Sequence, residues 1–145
     1  MGTKGRMMVG MDVDELIALL NRALADEWLA YYQYWIGSKV TMGPTRDAVV
    51  SELIIHATEE LAHADLLAGR ILQPGGKPIL EPKIWYDLTN CGYEAPVNPF
   101  VNEVLKQNIQ GEQCAIEAYN KLLTIVKDKD PITYTMVLSI LTDEI

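Results

Sequence analysis

Four glutamates in this chain stand where an apolar residue is expected. Apolar residues three and four positions apart mark the helix face that turns toward a protein interior. In the first such segment the face reads Val13, Ile17, Leu20, Leu24, Glu27, Tyr31 and Tyr34. In the second it reads Leu53, Ala57, Glu60, Ala64, Leu67 and Ile71. The third gives Val101, Leu105, Asn108, Glu112, Ala115, Tyr119, Leu122 and Val126, and the fourth gives Val137, Ile140 and Glu144. An unpaired carboxylate in an apolar interior loses several kcal/mol of solvation, and a group of four cannot all stay ionised. No Lys or Arg falls on these seams to neutralise them. Two divalent cations would balance the four charges. His63 lies three residues after Glu60, which puts both on one side of their helix. Carboxylate oxygens with one or two imidazoles suit iron or manganese better than structural zinc, which prefers sulfur and nitrogen.

The elements that must position these side chains are well punctuated. Asp12 can cap a helix, with Glu15 completing a capping box and Met11 and Leu16 forming the flanking apolar staple. Gly43-Pro44, Asn98-Pro99 and Asp130-Pro131 each open a further helix, and Pro74-Gly75-Gly76 closes one. The expected helices span about 12–39, 44–73, 98–129 and 131–145, after a flexible lead of residues 1–11. Residues 74–97 hold four prolines and three glycines and are expected to be a loop. Short connections make the first two helices, and the last two, antiparallel neighbours. The long connection is read as a crossover running the length of the bundle. The fold class is therefore all-α, a ferritin-like four-helix bundle over a single domain, residues 1–145. Glu112 and Glu144 each lie thirteen residues past their helix-opening proline. At 1.5 Å per residue both stand about 20 Å along their helices, and Glu27 and Glu60 lie near mid-helix, so the four carboxylates share one level.

Composition narrows the function. The 145 residues suffice for one core, and 49% hydrophobic with 22% charged is an ordinary globular balance. The net charge of −8 disfavours binding to nucleic acid phosphates. Lys4 and Arg6 alone do not make the N-terminus a DNA-gripping tail, so DNA binding is not expected. No apolar run approaches the roughly 18 residues of a membrane span. The N-terminus lacks a signal-peptide core, and Arg6 stands where a myristoylation signal needs Ser or Thr. The chain reads as cytoplasmic. Two cysteines do not make a secreted disulfide scaffold.

Each feature also has a plain explanation. A single seam glutamate usually reaches solvent at a helix rim, and Glu-x-x-His occurs often by chance. His56 reads as an ordinary helix histidine, Tyr31 and Tyr34 as core aromatics, and Glu59 and Glu117 as solvated residues off the seams. What sets this chain apart is one seam carboxylate per helix at matching heights. A Glu-x-x-His pair joined by glutamates from neighbouring helices is the ligand arrangement of di-iron bundles.

Local sequence adds a resemblance. Ala25 to Trp35, with Gln33-Tyr34 following Glu27, resembles the first helix of bacterioferritins. Glu59 to Asp65 resembles their second-helix Glu-x-x-His. Asn108 to Ala115 is similar to the Dps-like proteins called thioferritins, shell proteins with a bacterioferritin-type di-iron site and a nearby cysteine pair. The resemblance covers nearly the whole chain. It implies that Glu27, Glu60, His63, Glu112 and Glu144 hold two iron ions per subunit, for which manganese or zinc can substitute. Tyr34 would stand just outside the ligands. The implied activity is that of a ferroxidase: Fe(II) is oxidised by hydrogen peroxide, or by dioxygen. Ferric mineral would be stored in a hollow homo-oligomer of twelve subunits, protecting against oxidative stress.

Two points depart from that pattern. The family's fourth helix carries a second Glu-x-x-His, and the histidine following Glu144 would fall two residues past Ile145. The fourth helix is also about half as long as the others and would leave their apolar faces uncovered. The sequence is therefore expected to be truncated in that helix. Cys91 and Cys114 match the cysteine pair, but Cys114 lies about 200° around the helix from Glu112 at roughly 100° per residue. A Cys91–Cys114 disulfide would then tie the crossover loop to the third helix without lining the site, and two unbridged thiols remain the alternative. Rival functions are a rubrerythrin-like or manganese-catalase-like di-metal peroxidase, a small-molecule hydroxylase, and a non-catalytic helical binding module. The Cys-x-x-Cys iron domain usual in rubrerythrins is absent from the sequence.

Overall fold

The computed structural model describes residues 3–145, and Met1 and Gly2 lie outside the described residues. Its helices are α1 (Thr3–Met7), α2 (Val13–Val40), α3 (Arg46–Leu72), α4 (Trp85–Leu88), α5 (Val101–Val126) and α6 (Pro131–Glu144). A 3-10 turn at Pro82–Ile84 precedes α4. The long helices α2, α3, α5 and α6 build the all-α bundle, in two antiparallel pairs joined by one crossover.

Backbone bonds fix which ends meet. Met42 N donates to Pro99 O at 2.8 Å and Val101 N donates to Met42 O at 2.9 Å. The α2–α3 turn therefore sits beside the start of α5. At the opposite end Gly10 N donates to Lys129 O at 2.6 Å, which joins the N-terminal segment to the α5–α6 turn. The loop after α3 consequently climbs the whole bundle.

Local chemistry sets the helix starts. The Asp12 side chain accepts from Glu15 N at 2.8 Å and caps α2. Asp130 Oδ1 accepts from the backbone of Ile132 and Thr133 at the start of α6. The α3 and α5 starts come later than the expected 44 and 98. Gly43 turns through φ 112°, and a Cβ there would meet the Phe100 ring at 2.8 Å. The Asn98 side chain accepts from Phe100 N at 3.2 Å, holding that stretch in a turn until Val101.

Three sequence expectations change. The lead of residues 1–11 was expected to be flexible, but it carries α1 and buries Val9 against the main core. The crossover contains a 3-10 turn and α4, because Trp85 stacks on Trp28 with ring centroids 5.6 Å apart. On two seams the facing residues shift: Leu16 is buried in place of Val13 and Ile17, and Val104 in place of Leu105.

Two apolar clusters fill the bundle. The larger joins Leu16, Leu20, Leu24, Leu67, Ile71, Val126, Val137 and Ile140. The smaller, at the other end, joins Tyr34, Val49, Leu53, Ala57, Val101 and Val104. One cation is buried after all: Arg70 donates to Asp130 Oδ2 at 2.7 Å and to Thr133 Oγ1 at 2.8 Å. It lies ten residues past Glu60, about 15 Å along α3, and clamps α6 to α3 without reaching the glutamates. Replacing Arg70 with Ala leaves Asp130 buried and unpaired. It should lower stability by about 3–5 kcal/mol in urea unfolding.

Candidate metal centre

The carboxylates meet between the two apolar clusters. Measured from the end nearest the α5–α6 turn, Glu27, Glu60, Glu112 and Glu144 stand about 21, 18, 21 and 20 Å along their helices. Glu27, Glu60 and His63 are buried, and the Glu144 side chain is only 6% exposed. His63 Nδ1 lies 3.6 Å from Glu27 Oε2, 3.8 Å from Glu60 Oε2 and 3.4 Å from Glu144 Oε1. These four residues each present a ligand atom, all within 4.8 Å of one another.

Neighbours orient this group. Tyr119 O–H donates to Glu27 Oε1. His63 Nε2 lies 3.0 Å from Asp143 Oδ2. A metal-binding imidazole ordinarily gives its second N–H to such a carboxylate. Three buried atoms then have no hydrogen-bond partner: Glu27 Oε2, His63 Nδ1 and Glu144 Oε1. Buried polar atoms are rarely left alone, and these three converge on one point. A divalent cation at that point fits the donors present, three carboxylates and one imidazole.

Glu112 stands apart from the four. Tyr34 O–H donates to its Oε1 at 3.3 Å, and His56 Nε2 lies 3.7 Å from the same atom. A cavity of about 230 Å³ spreads outward from Glu27, Glu60, Glu112 and Glu144 to a roof formed by the crossover loop. Cys91 and Cys114 are bonded, and both border this cavity. The disulfide ties the loop to α5 but also lines the site, unlike the expectation from helix angle, because the cavity continues between α2 and α5. Asp26 holds the loop there, accepting from Asn90 N at 2.8 Å, Asn90 Nδ2 at 2.7 Å and Cys91 N at 3.0 Å.

Sequence reasoning missed several of these groups. Tyr119 was read as a core seam residue, although seven residues from Glu112 on one face was a usable signal. His56 was read as an ordinary helix histidine. Asp26 and Asp143 carried no periodic signal, since each is simply adjacent to a seam glutamate.

Electrostatics follow burial. Loss of solvent, then the neighbouring Glu27, pushes the Glu60 carboxyl up from 4.5 to about 8. Burial also raises Glu144. For His63, burial opposes the charged form, but hydrogen bonding to Glu144, Glu27 and Glu60 outweighs it and the imidazolium is favoured. Burial, then the charge of Glu112, raises Tyr34, so its hydroxyl keeps its proton.

A layer of carboxylates and imidazole crossing a four-helix bundle with one long crossover defines the ferritin-like class. The chain belongs to it: the family described as Ferritin-like domain matches residues 17–145. The fold superimposes with a TM-score of 0.96 on the dodecameric thioferritin, a bacterioferritin-related protein, of Bacteroides fragilis. That match is 39% identical and covers 99% of this chain and 86% of the other. The chain is also 31% identical to the DNA protection during starvation protein of Pyrococcus furiosus over 137 residues, 94% of this chain and 74% of that protein. The Dps of Thermosynechococcus elongatus, at 18% identity, matches in fold with a TM-score of 0.85 over 90% of this chain and 83% of that one.

Glu60 and His63 both bind protons more tightly in the folded chain than in the unfolded one. Their contribution to stability is full at low pH and is lost as pH rises, for Glu60 between 4.5 and about 8. The metal-free protein, kept in chelator, should therefore show a Tm that falls from pH 5 to pH 8.5. A bound divalent cation takes the place of those protons and should flatten or reverse the trend.

Proposed function

We propose that this chain is the subunit of a ferroxidase. Two Fe(II) substrate ions bind in the carboxylate layer, Glu27 and His63 holding one and Glu112 the other, with Glu60 and Glu144 shared between them. The observation that carries this reading is the convergence of three buried donor atoms that have no partner within the protein. Manganese or zinc can occupy the same donors.

Each Fe(II) gives up one electron. One hydrogen peroxide accepts both, its O–O bond breaks, and with two protons it becomes two waters. The anionic oxygen donors favour Fe(III) over Fe(II) and so drive the oxidation. Tyr119 and Asp143 orient Glu27 and His63, Tyr34 steadies Glu112, and the Glu60 carboxyl yields its proton as a cation arrives.

The ferric product is stored as mineral inside a hollow homo-oligomer of twelve subunits, the assembly named for the Bacteroides relative. Removing Fe(II) and peroxide together suppresses hydroxyl-radical formation, which protects the cell against oxidative stress from the cytoplasm. A net charge of −8 favours this chemical protection over DNA binding. No helix among the described residues is long and apolar enough to cross a membrane.

The test is anaerobic loading with Fe(II), followed by peroxide or air. Rapid peroxide-driven oxidation with many irons kept soluble per chain is expected. About two irons per chain, turned over without mineral, would point instead to a di-metal peroxidase. Glu60→Ala should slow oxidation by more than about 100-fold, since changes just outside the ligands alone weaken metal sites 10- to 100-fold. Undiminished oxidation in that variant would refute the assignment.

A further inference from the structure

The chain has two histidines, and both lie against site glutamates. His63 lies deep in the layer. His56 lies one helical turn before Glu60 on α3, half-exposed at the wall facing Glu112. Its surroundings repeat the pattern around His63. One ring nitrogen of His63 faces the converging carboxylates while the other meets Asp143. For His56, Nε2 faces Glu112 at 3.7 Å while Nδ1 meets Glu59 Oε2 at 3.4 Å. Its ring also stacks on Tyr34, with centroids 5.2 Å apart and planes inclined by 24°. Tyr34 in turn bonds Glu112.

These contacts exceed what a surface ion pair requires. A His–Glu pair three residues apart on a helix contributes little and needs no third group. Here a carboxylate behind the ring and an aromatic on its face fix the imidazole so that Nε2 points at a site glutamate. Two donors sharing one ion at about 2.1 Å lie roughly 2.9–4.2 Å apart, depending on the angle between them. The His56–Glu112 separation falls in that range, as do the separations around His63.

We infer that His56 is a nitrogen ligand of the metal position held by Glu112, with Glu59 and Tyr34 as its positioning residues. The inference rests on the two-metal reading given above. It divides the imidazoles between the positions: His63 serves the buried one and His56 the one that borders the cavity.

Cobalt(II) tests this without turnover, because its visible absorption reports each binding step and it is not oxidised by air on this timescale. The full chain should bind two equivalents in two resolvable steps. His56→Ala should weaken one step by at least about 10-fold and leave the other unchanged, and added imidazole should restore the lost step. Glu59→Gln should weaken the same step by about 10-fold, as expected for the carboxylate behind a ligating histidine. His63→Ala should affect the other step. Circular dichroism melting checks that each variant is folded, and His56 is exposed enough that its removal buries no unpaired charge.

Two unchanged cobalt steps in His56→Ala would overturn the inference and leave the two-metal reading standing. Equal loss of both steps in a folded His56→Ala, without rescue by imidazole, would make His56 a structural residue and also overturn it. If the unaltered chain binds no cobalt, the two-metal reading fails and the inference fails with it.

Discussion

A carboxylate taken out of water and left unpaired loses several kcal/mol, and this bundle holds Glu27, Glu60 and Glu144 almost fully out of water. Within the protein His63 is the one cation that reaches them. The two apolar clusters above and below must supply enough burial to carry this polar layer. The same layer explains why three donor atoms stay unpartnered at the centre. Satisfying them internally would consume the positions that a cation needs. The one strong ion pair, Arg70 with Asp130, is kept about 15 Å away along α3. It anchors the start of α6 and so positions Glu144 without competing for its carboxylate.

The second dependency is the roof. Glu112 is the least buried of the four glutamates, and it faces a cavity closed by the crossover loop. That loop has little core of its own. It is held by Asp26, by the Trp28–Trp85 stack and by the Cys91–Cys114 bond. Asp26 and Trp28 flank Glu27 in the chain, so the helix turn that supplies a site ligand also supplies two of the three loop anchors. Loop and site are therefore placed by the same few residues of α2.

Much of this was legible in the sequence because period and punctuation carry it. Four amphipathic seams, three proline-opened helices and one long proline-rich connection specify the bundle and its crossover. The interrupting glutamates specify the layer, since an apolar face has no other reason to carry one charge per helix. What was not legible depends on rotation and reach. Val13 and Ile17 fit the periodic pattern as well as Leu16, and only packing against the neighbouring helices decides between them. The bond from Tyr119 to Glu27 joins residues far apart in the chain and leaves no local trace. The burial of Arg70 was hidden for the same reason, because its partner lies on another helix. The disulfide's place on the cavity wall depends on how far that cavity extends, which helix angle alone does not give.

The asymmetry of the site has a chemical consequence under the ferroxidase reading. A deep position lined by buried donors is already organised, so a cation there exchanges a few protons for itself and needs little rearrangement. Glu112 is only partly buried and lies beside the cavity, so an ion there keeps contact with water and with incoming oxidant. A centre that must hold iron long enough to oxidise it, yet release the product toward a mineral, needs both properties. Two equally buried positions would bind firmly and turn over slowly. Two exposed ones would lose the preorganisation that makes Fe(III) favourable. Placing His63 and Asp143 behind one position, and the half-exposed His56 and Glu59 behind the other, gives one firm position and one labile one from the same helical repeat on α3.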